Sequence, residues 1–78
     1  MQNPIDRAAL QRSLTELEAR IAAVQHKISE QREVVVQLES VGRAADHAKY
    51  LLAGLGLLEA AYQEGRDQML ADLSEFVD

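Results

Sequence analysis

The chain has no cysteine and no tryptophan, one proline, four glycines and three aromatic residues. Without cysteine there is neither a disulfide framework nor a thiolate zinc site, so the usual staples of a small fold are excluded. Long apolar runs are missing as well. The longest uncharged stretch, Tyr50 to Leu58, has nine residues, against the roughly 20 that cross a bilayer. Met1-Gln2-Asn3-Pro4 opens no basic-then-apolar leader, which points to a cytoplasmic protein with no membrane association. Basic residues are in deficit, 8 against 13 acidic, and the net charge of −5 argues against a polyanion partner. What remains is 78 residues, 47% of them hydrophobic, enough for one small domain and too apolar for a disordered chain.

The apolar residues are spaced as helices space them. Leu10, Leu14, Leu17, Ile21, Val24, Ile28, Val35 and Leu38 step by fours and threes, interrupted once by Gln31. In heptad terms Leu14, Ile21, Ile28 and Val35 occupy a, and Leu10, Leu17, Val24 and Leu38 occupy d. This predicts a first helix over about 4–41, with Asn3 as cap, Pro4 in the first turn and Asp6 at the positive end. Ser13-Leu14-Thr15-Glu16 is a second capping box at which the helix can restart. Val34-Val35-Val36 also reads as strand, but the heptad frame runs through it. Gly42 is the helix stop.

A turn over about 42–44 leads to a second helix over about 45–77. Its predicted stripe is Ala48, Leu51, Leu55, Leu58, Tyr62, Met69, Leu73 and Phe76, widened by Leu52, Leu70 and Val77. Arg43-Ala44-Ala45 marks its start poorly, with Asp46 serving one turn late. Gly54, Gly56 and Gly65 inside the pattern each cost about 1 kcal/mol against alanine, which implies a packing reason. Ala53, Gly56 and Ala60 offer a flank that a further helix can approach closely.

The fold class is therefore all-α: an antiparallel two-helix hairpin, coiled-coil-like, with residues 1–78 as one unit. Residues 64–78 hold Glu64, Asp67, Asp72, Glu75 and Asp78 against Arg66 alone, and a fold-back sets them beside Arg7 and Arg12. It also pairs Leu10 with Phe76, Leu17 with Met69 and Val24 with Tyr62. A single hairpin leaves Leu52, Leu57, Leu70, Leu73, Val34 and Val41 off its seam, and each buried leucine is worth about 1.5–3 kcal/mol. Dimerisation into a four-helix bundle covers them. The competing assembly, a parallel pairing of the first helix, opposes Lys27 at g to Arg32 at e.

Reactive groups are few. His26 and His47 fall on different helices and do not meet on the fold-back, so no catalytic residue, cofactor or metal ligand is assigned. His26 and Glu30 share a helical face, but the Glu-x-x-His spacing of di-iron bundles is absent. Gly54-Leu55-Gly56 has no following lysine and is no phosphate loop. Gln31 reads as a register device, and Tyr50 and Tyr62 as packing residues with hydroxyls at the rim. The acidic C-terminal third is a solvated face, or a docking surface for a basic partner.

The segment Lys27-Ile28-Ser29-Glu30-Gln31-Arg32, with Leu38-Glu39, Gly42, Ala48, Leu51-Leu52 and Arg66-Asp67-Gln68-Met69-Leu70, resembles small uncharacterised helical-hairpin proteins of alphaproteobacteria, especially rhizobial relatives. The resemblance covers about residues 20–73 and implies a cytoplasmic bacterial hairpin without transferring any site residue. Ala44 and Ala45 stand where those proteins carry aspartate and threonines, leaving the second helix cap unmarked.

Two functions follow, of different classes. The first is a non-catalytic interaction or adaptor hairpin, a homodimer or a docking partner for another helix, acting through Leu52, Leu57, Leu70 and Leu73. The second is a nucleic-acid-binding hairpin dimer, like the plasmid repressor-of-primer protein, using Arg12, Arg20, Lys27 and Arg32 diluted by Glu16, Glu18, Glu30 and Glu33. A metal-binding bundle is third.

Overall fold

The computed structural model describes residues 7–76. They form two helices, α1 (Arg7–Ser40) and α2 (Asp46–Ser74), packed against each other as a hairpin, with no strand among the described residues. The expected caps at Asn3, Pro4 and Asp6, and the expected helical end at Val77, lie outside the described residues. The molecule measures 63 × 17 × 14 Å, a rod of two helices side by side.

The heptad spacing of α1 corresponds to what it buries. Leu10, Ile21, Val24 and Ile28 are buried, and Leu14, Leu17, Gln31, Val35 and Leu38 are half-buried. Helical geometry brings i, i+3 and i+4 to one face, so nine positions line one side over the length of the helix. Val34 and Val36 are carried within the helix on its exposed sides. The predicted restart at Ser13 does not occur. The Thr15 hydroxyl donates instead to the Gln11 carbonyl (3.1 Å), one turn back, and the helix runs straight through.

The hairpin turn is chemically explicit. Gly42 has φ +72°, the left-handed conformation that glycine adopts without a Cβ clash. The Gly42 N–H donates to the Glu39 carbonyl (3.1 Å), and the Arg43 N–H donates to the Leu38 carbonyl (2.8 Å). These are the two bonds of a Schellman motif, and they satisfy carbonyls that the helix end would leave open. Because the motif needs its last helical bonds at Leu38 and Glu39, Val41 belongs to the turn rather than to the helix. Lys49 then reaches back to Glu39 across the turn, Nζ to Oε2 at 2.8 Å, and this hydrogen bond holds the ammonium above its ordinary pKa of 10.5.

At the start of α2, Ala45 supplies no side-chain cap, and the Lys49 N–H bonds its carbonyl at 2.9 Å. The methyl groups of Ala45 and Ala48 are buried instead, so close packing at the turn replaces a polar cap.

The seam of α2 differs from the expected stripe by a small rotation. Ala45, Ala48, Leu52, Leu55, Glu59, Tyr62, Arg66, Met69, Leu73 and Phe76 are buried or half-buried in alternating threes and fours, with Gln63, Gly65 and Asp72 half-buried beside them. Leu52, Glu59, Arg66 and Leu73 thus take the inner flank where Leu51 and Leu58 were expected. Continuing the expected flank by sevens reaches Gly65 and then Asp72, which are half-buried as well, so the seam widens at its far end, while Glu59 and Arg66 carry the inner flank. The flexible stems of Glu59 and Arg66 can lie there while their charged ends stay near water. Leu17 packs against the helix at Gly65, about one turn from its expected partner Met69: a Cβ there would stand 3.3 Å from Leu17 Cδ2.

Gly42→Ala is expected to lower stability by about 1–2 kcal/mol through the forced left-handed conformation. For a domain of this size each 1 kcal/mol moves the midpoint by roughly 4–8 °C, which circular dichroism melting reads directly.

Candidate interaction surface

One edge of the hairpin is polar. The Glu39–Lys49 pair joins two columns that repeat every seven residues, Gln25, Arg32 and Glu39 on α1 and Lys49, Gly56 and Gln63 on α2. Across the seam, the opposite edge is formed by Lys27 and Val34 on α1 and by Leu51, Leu58 and Gly65 on α2. Near the turn this second edge carries no charge. Val34 is exposed, Leu51 and Leu58 are each 41% exposed, and the outward Tyr50 and Leu57 stand at 77% and 76%.

The outer surface of α2 from Tyr50 to Ala61 is consequently apolar on every side that faces away from α1. It consists of Tyr50, Leu51, Ala53, Gly54, Gly56, Leu57, Leu58, Ala60 and Ala61, with the Tyr50 hydroxyl as its sole polar side-chain group. The charge within that span, Glu59, is turned half-buried toward the seam. A helix that is apolar all round is ordinarily a buried helix. Here polar side chains occupy the interior seam while leucines face outward.

The four leucines expected to form the docking surface divide between two faces. Leu57 and the 46%-exposed Leu70 are on the outside; Leu52 and Leu73 are half-buried in the seam. Tyr50, expected to pack, is outside too, whereas Tyr62 and Gln31 are in the seam. Leu51 and Leu58 were expected inside and belong to the outer surface. Spacing by threes and fours runs to Phe76 along both flanks, through Gly65 and Asp72 on one and through Glu59 and Arg66 on the other, so periodicity alone does not separate the two sets.

The small residues separate as well. Gly65 has a packing reason within the hairpin, the Leu17 contact, but a Cβ at Gly54 or Gly56 would meet nothing within 4 Å. Their cost to helix stability is not repaid inside the hairpin.

No other group of residues forms a comparable site. His26 Nε2 and Glu30 Oε1 lie 3.8 Å apart on the exposed face of α1, and no group of three or more metal-ligating side chains occurs among the described residues. His47 is exposed near the turn, on the other helix. Arg20 and Lys27 share one edge of α1, Arg32 stands on the opposite edge and Arg12 on the outer face, so the four cations do not make one stripe. A shallow depression of about 500 Å³ beside Ala8, Gln11, Arg12, Thr15 and Glu16 is lined by a single helix. The acidic segment makes local contacts: Arg66 pairs with Asp67 (3.1 Å), and the Gln68 amide donates to Asp72 (3.0 Å). Among the described residues no ion pair joins that segment to Arg7 or Arg12; the ion pair between the helices is at the turn. No helix among the described residues is long and apolar enough to cross a membrane. No protein-family model, curated protein or solved structure matches the chain.

Gly56→Ala is expected to stabilise the hairpin by about 1 kcal/mol, the full helix-propensity difference, because its Cβ enters open space. Gly65→Ala gains less, since Leu17 must first shift. Urea denaturation of the two variants measures the difference.

Proposed function

We propose that this protein is a non-catalytic interaction module, a helical hairpin that lends the apolar outer surface of α2 to another helix. The observation that carries this reading is the uncharged surface from Tyr50 to Ala61 around Leu57, exposed on a rod whose own seam holds Glu59, Arg66 and Gln31. Contiguous apolar surface on a soluble chain marks a contact site, and helix-on-helix docking is the mode that an α-helical strip supports. When the partner is itself a hairpin, the product is a four-helix bundle or a bundle-like assembly of paired hairpins. The scattered placement of Arg12, Arg20, Lys27 and Arg32 gives the nucleic-acid reading less support, and the isolated His26–Glu30 pair gives little to a metal-binding bundle.

Leu57 makes the reading testable because it is exposed on the isolated hairpin, so Leu57→Glu changes the stability of the hairpin itself by no more than about 0.5 kcal/mol. The expected result is loss of association with any helical partner, this chain or another, in sedimentation and affinity purification. Val36→Glu, at another open position on α1, retains it. Equal association by the native chain and Leu57→Glu would refute the docking surface.

A further inference from the structure

Resting on that reading, we infer that the occupant of the outer surface of α2 is α2 of a second copy of this chain, antiparallel, in a register where paired residue numbers sum to about 112. The surface alternates large and small along one strip: Tyr50 and Leu51, then Gly54, then Leu57 and Leu58, then Ala61. An antiparallel copy in this register lays Leu58 over Gly54 of the second chain and Leu51 over its Ala61. The two-fold axis repeats both contacts in reverse, as an isologous interface requires. Each leucine enters a space that a small residue leaves open, the alternation by which facing helices interdigitate. At Gly54 that space is real, since nothing of its own chain lies within 4 Å of a Cβ there. A parallel copy would set leucine on leucine and glycine on glycine, with clashes and voids in alternation.

The charges at the ends of the strip fit the same arrangement. Within it there are none to oppose. Beyond it, Glu64 comes beside His47 in the first turn of the second α2, where the helix dipole attracts it and the carboxylate of Asp46 opposes it, and Gln68 comes beside Arg43 and Ala44. No two like charges of the strip face one another. The apolar edge also continues onto α1 at Val34, so the second helix rests in the groove between α1 and α2 rather than on a lone ridge.

Gly54 and Gly56 provide a matched pair for the test. Both stand in open space in the hairpin, but Gly54 belongs to the strip and Gly56 to the polar edge of Lys49. Sedimentation equilibrium of the full chain is expected to show a dimer that Gly54→Leu weakens at least about tenfold and Gly56→Leu leaves within about twofold. Because the chain has no cysteine, oxidation of an equimolar mixture of Gly54→Cys and Leu58→Cys chains, one bearing a mass tag, reads the register. Mixed 54–58 disulfides in excess of both homodimers support it. Excess 54–54 or 58–58 disulfides, or equal weakening by the two glycine variants, overturn the antiparallel register. A native chain that stays monomeric at about 100 µM overturns self-association. In that event an unrelated partner captured by the native chain and lost in Leu57→Glu would leave the docking surface itself standing.

Discussion

The contact between α1 and α2 is the single seam on which the structure rests, and it is closed at one end by the turn. Gly42 reverses the chain with two backbone hydrogen bonds, Ala45 and Ala48 allow the second helix to start close against the first, and Glu39 and Lys49 join one edge. Those contacts fix the rotation of α2 about its own axis at the turn. From there, threes and fours carry the same face of α2 to Phe76.

Once that rotation is set, the distribution of polarity follows. Two helices in contact bury one strip each, and in this chain the strip of α2 contains Glu59 and Arg66 while Leu51, Leu57 and Leu58 are left outside. The compromise is affordable because long charged side chains lie along a seam with their ends wet. Leucines left in water have no corresponding escape, and each retains free energy that only a further contact releases. The glycines point the same way: Gly65 accommodates Leu17, while Gly54 and Gly56 weaken the helix for no benefit within the hairpin. The isolated hairpin thus holds surplus apolar surface, and Gly54 lies within that surface.

The spacing of the apolar residues and the glycine at position 42 made an α-helical hairpin legible. The heptad of α1 was readable because Leu10 through Leu38 offers one apolar face and no rival. α2 offers two, since Tyr50 to Leu58 has apolar residues on every side, and periodicity cannot rank faces that are equally apolar. That ambiguity placed Leu51 and Leu58 inside, where the structure exposes them, and gave Leu52 and Leu73 to both the stripe and the docking set, where the structure keeps them half-buried in the stripe. Leu57 was legible as exposed because it lies off both candidate faces.

What the sequence by itself determined is the pair of helices, the glycine at which the chain reverses and an apolar content greater than one seam absorbs. Helical periodicity and the left-handed freedom of glycine are local properties, readable residue by residue. The tertiary structure decided which apolar face of α2 turns inward and therefore which one remains for a partner. That choice depends on how Ala45, Ala48 and the Glu39–Lys49 pair bring two helices together at the turn, a relation between segments that no single segment contains.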